Sequence, residues 1–269
     1  MKPWNFLLIA MAFMSLASCS TNNTTNTLSS AQNVFFLLAD DPAIQDFQLN
    51  FTKVNVDVKE IDYVAADSSM TKVSVTDSVF NLKSLMNGNC TLLSQITIPN
   101  TVVIKQVRLV LGSDNYGTLN DGTVVPLTVP SGQKAGITIN VDETAPSTLS
   151  SYSVIIDFNV GKSVFSTGNN TYMLNPVLRS YIADVTSYIK GNISPAKLLT
   201  KVFVVTGKDT LWTVSDTTNS NYFRLSGFTP GTYAVKFMPA GTTAVTNTVS
   251  AIVQSGSSFI NLDTVRITK

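Results

Sequence analysis

The sequence predicts an all-β protein: two β-sandwich domains in tandem, set behind a signal peptide and a flexible tether. Three observations predict it. Apolar and polar residues alternate with period two in segment after segment, as in Lys53, Val54, Asn55, Val56, Asp57, Val58, Lys59. That alternation is the mark of a strand with one face buried and one wet. Turn residues punctuate these segments, at Asn120-Asp121-Gly122, Pro130-Ser131-Gly132, Thr167-Gly168-Asn169 and Pro230-Gly231. Helical periodicity is nearly absent.

The chain opens with Lys2, an unbroken apolar run from Phe6 to Met14, and then Leu16, Ala17, Ser18 and Cys19. A positive start, a short apolar core and small residues before a cut describe a secretory signal. The run is too short to cross a bilayer as a helix, which takes about 20 residues. The last four residues resemble the lipobox of bacterial lipoproteins. That resemblance implies removal of residues 1–18, a lipid (diacylglycerol and palmitate) on Cys19, and a lipid anchor in the outer membrane. Residues 19–32 are predicted to be a tether, because Ser20 to Thr27 has nothing apolar to bury against the entropy of ordering. No acidic cluster follows Cys19, so the membrane face is left open.

Residues 33–182 are predicted to be the first sandwich. Strands are expected at Val34–Leu38, Lys53–Lys59, Val102–Leu111, Gly136–Val141, Tyr152–Phe158 and Val177–Tyr181. The one helix candidate is Leu82–Met86, stopped by Asn87 and Gly88. Residues 183–269 are predicted to be a second, smaller sandwich. Its strands are expected at Tyr188–Ile193, Lys201–Val205, Tyr222–Leu225, Tyr233–Phe237 and Ser258–Ile267.

Two further resemblances bear on these halves. The run from Asn221 to Val235 holds Phe223, Leu225, Pro230, Gly231 and Tyr233. It resembles the signature of carboxypeptidase regulatory-like, transthyretin-like domains, which implies a non-catalytic spacer or recognition module. Tyr222 stands where that signature usually has Gly. In the first half, Leu38–Ala43, Val54–Ile61, Ile104–Leu111, Leu127–Gly136, Ile156–Val164 and Tyr172–Arg179 occur in order. Together they resemble the lipoprotein family of domain of unknown function 4382, with Asn159 and Asn175 where Asp and Lys are usual. This implies a β-sandwich and no known chemistry.

Composition excludes several function classes. The chain has no His, which removes His-based triads and the usual zinc shells. Loss of Lys2 with the signal leaves 17 basic and 17 acidic residues, so no nucleic-acid partner is expected. No metal and no cofactor is expected. Cys90 is either a reactive thiol or a small buried apolar group, and the adjacent Leu92 and Leu93 favour burial. Ser131 and Lys134 have the Ser-x-x-Lys spacing of penicillin-binding enzymes but sit at a Pro-Gly turn. Gly161-Lys162-Ser163 lacks the glycine a phosphate loop needs and reads as a strand-edge turn. The loop from Asp114 to Asp121 offers oxygens for calcium without ordered spacing. Asp77-Ser78-Val79, Asp209-Thr210-Leu211, Asp216-Thr217-Thr218 and Asp263-Thr264-Val265 look like O-glycosylation acceptors of some exported proteins.

The expectation is therefore a non-enzymatic envelope lipoprotein, a binding or scaffold module for glycan or protein. Trp212 and Tyr222 are the candidate ligand contacts, through ring stacking. Two rivals stand beside it. One is a subunit or assembly factor of a lipoprotein-derived pilus, built by strand donation. The other is a glycan-processing enzyme using a carboxylate pair among Asp57, Glu60 and Asp62.

Overall fold

The structure, a computed structural model, describes residues 30–40, 51–75, 79–207 and 209–267. Cys19, the expected signal peptide and most of the expected tether lie outside the described residues, as do Asp41, Asp77 and Ser78. Among the described residues no helix is long and apolar enough to cross a membrane.

The protein is all-β, with four sheets stacked as two sandwiches. The first sheet runs, in order, β13 (Leu178–Ile182), β10 (Ser151–Phe158), β1 (Ala31–Asp40) and β5 (Thr91–Pro99). The second runs β11 (Val164–Gly168), β12 (Thr171–Leu174), β8 (Val124–Thr128), β7 (Tyr116–Leu119), β2 (Phe51–Ala65), β6 (Ile104–Leu111) and β9 (Ile137–Asn140). Two short strands, β3 (Met70–Ser74) and β4 (Val79–Asn81), also pair with β2. Between these sheets lies one apolar core. Val34, Phe36 and Leu38 of β1 meet Val107, Leu109 and Leu111 of β6 within it. The first strand starts at Ala31, two residues inside the stretch read as tether.

The second sandwich packs β17 (Tyr222–Phe228), β14 (Ser187–Ser194) and β20 (Phe259–Arg266) against β16 (Asp209–Val214), β15 (Thr200–Thr206), β18 (Gly231–Pro239) and β19 (Asn247–Val253). Its core is separate and holds Ile189, Val202, Val204, Phe223, Leu225, Val235 and Phe237. The turn at Pro230 and Gly231 joins strands of different sheets. It carries the chain across the sandwich, from β17 to β18. Phe228 and Tyr233 brace that corner edge to face at 4.7 Å, and the Tyr233 hydroxyl donates to the Thr229 carbonyl at 2.8 Å.

Local departures from the sequence reading have physical causes. The predicted helix at Leu82–Met86 is one 3-10 turn, Leu82–Ser84. Leu82 and Leu85 are both buried, and three-residue spacing aligns them on a 3-10 turn. Gly161-Lys162-Ser163 is not a bare turn but part of a single helical turn, α1 (Val160–Ser163). The Asn159 side chain caps it, accepting from the Lys162 amide at 3.0 Å. Cys90, expected inside, is exposed, because it lies in the connection before β5 rather than on the strand's core face. Leu93 takes the core position, while Leu92 is 48% exposed.

Candidate site at the junction of the two sandwiches

The strand β10 carries a nearly continuous apolar run, and both of its faces are covered. Tyr152, Val154, Ile156 and Phe158 enter the first core, while Ile155 points outward and is also buried. It packs with Ala39 and Tyr181, and Leu37 joins them. This outer patch of the first sandwich faces Tyr188 and Arg224 on the outer face of the second. Between them lies a groove of about 270 Å³, with Asn89 and Cys90 at its lining.

Side-chain bonds tie the two walls together. Asn87 Nδ2 donates to the Val214 carbonyl at 2.9 Å. Its Oδ1 accepts from Thr213 Oγ1 at 2.8 Å and from the Arg224 amide at 3.2 Å. Arg179 Nη2 binds Asp157 Oδ2 at 2.6 Å on its own sandwich and donates to the Ser226 carbonyl of the other at 3.1 Å. Lys162 pairs with Asp209 at 3.3 Å, also across the junction. Burial pushes the Asp157 carboxyl upward against the pull of Arg179. Burial also drives the Tyr181 hydroxyl far above its ordinary value.

Arg224 is held with unusual care. Its guanidinium carbon sits 3.7 Å from the centre of the Tyr188 ring, and its Nε donates to Ser226 Oγ at 3.0 Å. On its other side is Gly88, at φ +86°, where an added Cβ would come within 2.4 Å of the arginine Cδ. Only glycine combines that backbone conformation with that clearance. Tyr188 stacks in turn on Phe259 (5.5 Å, 19°), with Lys190 Nζ 4.3 Å from the Phe259 ring. The result is a column of cation, ring, ring and cation.

Trp212 and Tyr222 lie on different sheets. Trp212 is on the outer face of the larger one, tilted against Phe203 at 5.9 Å, with Lys201 Nζ 3.3 Å from the centre of its ring. Tyr222 shares β17 with Arg224, and burial raises its hydroxyl. The candidate carboxylates are engaged elsewhere. Asp62 binds Arg108 at 2.6 Å, and Glu60 binds Lys72 and Arg108. Asp57 accepts from the Asp114 amide at 3.1 Å. Ser131 and Lys134 are exposed around a 3-10 turn. Within the Asp114–Asp121 loop, Asn115 is buried and donates to the Gly112 carbonyl at 2.8 Å.

Sequence reasoning missed Arg224, Tyr188, Leu37 and Ile155 as a group. One signal was available. Residues 183–269 hold eight Lys and Arg, four Asp and no Glu, a balance of +4, while residues 1–182 hold ten basic and 13 acidic residues. The near-neutral whole chain hides two halves of opposite sign.

These features define a two-sandwich β protein with a groove between its halves. The chain belongs to the DUF4382 family, described as a domain of unknown function, whose profile matches residues 33–176. No curated protein matches it. Among solved structures it is similar to BcpA, the major pilin subunit of Bacillus cereus, at 10% identity and a TM-score of 0.25, covering 89% of this chain and 70% of the pilin. It is also similar to the TIE protein of Bacillus anthracis (11%, TM-score 0.25, covering 87% and 41%). A third is the shaft pilin SpaA of Lactobacillus rhamnosus GG (10%, TM-score 0.22, covering 90% and 100%).

Proposed function

We infer that this is a lipid-anchored envelope protein that works by contact, with the groove between its sandwiches as the contact surface. One observation carries the reading. Asn87 and Arg179 fix two unlike outer faces together, and the space left between them is a preformed cleft with one apolar wall facing a more polar one. Ligand sites are commonly of this kind, apolar with a few placed polar groups, and they favour domain interfaces. The lipobox-like residues ending at Cys19 support the anchor, and two acyl chains suffice for stable attachment. The transthyretin-like reading of residues 183–269 supports a recognition role for the second sandwich.

Tritiated palmitate fed to cells making the full chain tests the anchor. Label enters the wild type and is lost in Cys19→Ser; equal labelling of both removes the anchored reading. The contact half depends on the groove itself, so Ile155→Trp, which fills it, ends ligand binding there.

A pilus-type subunit is the second reading, favoured by one feature. The edge strand β19 runs Asn247, Thr248, Val249, Ser250, Ala251, Ile252, Val253 with no charge and no proline, and among the described residues it pairs with β18 alone. Edges are usually blunted by charge, proline or a bulge. An uncovered edge is a template for strand addition.

A further inference from the structure

The groove holds one formal charge, and that charge is unanswered. Its lining contains Arg224 but no Asp, Glu or Lys. Asp40 and Asp157, the buried acids that line an adjoining pocket with Arg224, are engaged elsewhere: Asp157 binds Arg179, and Asp40 accepts from the Val160 amide at 3.2 Å. Among the described residues neither terminal nitrogen of Arg224 has an acceptor; its one side-chain bond is from Nε to Ser226 Oγ. Tyr188 on one side and Gly88 on the other leave the guanidinium little freedom. A fixed guanidinium presents its remaining donors as a fork that matches a carboxylate. The opposite wall is aliphatic, from Leu37, Ala39 and Ile155, with Tyr181 beside them. Leu92 pairs with Leu37 across β1 and β5 and is 48% exposed, so the apolar track leaves the groove toward solvent.

We propose that the groove binds an aliphatic carboxylate, with the chain against Leu37, Ala39 and Ile155 and the carboxylate on Arg224. This rests on the reading of the groove as the contact surface and names its ligand class. Charge complementarity selects the anion, because a neutral amphiphile leaves the fixed guanidinium desolvated and unpaired. At about 270 Å³ the groove is at the small end of ligand clefts, which suits one narrow chain better than a folded partner's surface.

Cys90 lines the groove and is exposed, so it reports on occupancy. In the full chain carrying Cys19→Ser, Cys90 is the sole thiol. The rate of its alkylation by iodoacetamide is measured with decanoate, decanol or decyltrimethylammonium present. Decanoate slows alkylation several-fold, and decanol requires at least tenfold higher concentration for the same protection. Arg224→Gln removes that preference, Arg224→Lys keeps part of it, and Ile155→Trp loses protection by every probe. Circular dichroism confirms that each variant is folded; if Arg224→Gln is not, the Lys variant and the probe comparison decide. Equal protection by decanol and decanoate overturns the carboxylate assignment and leaves the groove as a site. Protection by neither, in folded wild type, overturns both.

Discussion

Lys201 is 1% exposed, on the outer face of β15, between the Trp212 and Phe203 rings. Burial pushes its ammonium from the ordinary 10.5 down to about 7, with Lys162 as the second cause. The aromatic faces pull the other way, but such contacts are worth about 0.5–2 kcal/mol. Fully buried lysines shift by as much as about 3–5 pH units, so desolvation wins. The unfolded lysine keeps its proton to about 10.5 and the native one to about 7. Between these values the unfolded state binds more protons, so stability rises with pH across that window and falls as pH drops through about 7. Urea midpoints at pH 6 and pH 9 therefore differ more in wild type than in Lys201→Met. At pH 6 the variant is the more stable, by about 1 kcal/mol or more. No difference in pH response between the two would place the amine in solvent. At this scale the sequence showed the residue types but not their company. Trp212 stood out as the sole Trp besides Trp4, whereas nothing local marks Lys201 as its neighbour, because the two meet only through the pairing of β15 with β16. Cys90 misled for a related reason. Proximity to Leu92 and Leu93 implies burial only if the strand already includes it, and β5 begins one residue later.

Among the elements, β2 shows how much a pattern reveals. Val54, Val56 and Val58 face inward, then Ile61, Tyr63 and Ala65 do, so the buried set shifts from even to odd positions. A bulge between Val58 and Glu60, against β6, makes the change. Both phases are legible in the sequence, and the bulge follows from them, since a one-residue shift moves every side chain to the other face. The outward face of β10 was less legible. An apolar run announces a strand covered on both sides but not by what. The partner is an element more than 30 residues later, Tyr188, reached only once the second sandwich is placed. Strand β19 makes its own prediction. Ile252 is 60% exposed on that neutral edge. Under the pilus reading, the purified full chain forms ladders on unheated gels, and Ile252→Lys suppresses them. A monomer at all concentrations, with and without that substitution, counts against strand addition.

The whole molecule is two cores joined by a polar seam. Neither core shares a residue with the other, so coupling between them passes through the seam. A basic second half set against an acidic first half adds a long-range attraction that salt weakens. The fold class and the two-part organisation follow from alternation and turns, which are local. The groove does not, because it is a product of how two finished sandwiches meet. No periodicity encodes the three bonds made by Asn87, which the sequence presents only as half of a helix stop. Each bond contributes about 1 kcal/mol, and leaving their buried partners unpaired costs more.

Scanning calorimetry of the full chain tests that seam most directly. Wild type gives one endotherm, since the halves open together, and Asn87→Ala gives two, the less stable half melting first. Two endotherms in wild type, at temperatures that Asn87→Ala leaves unchanged, would mean that the sandwiches stand independently and that no fixed groove lies between them.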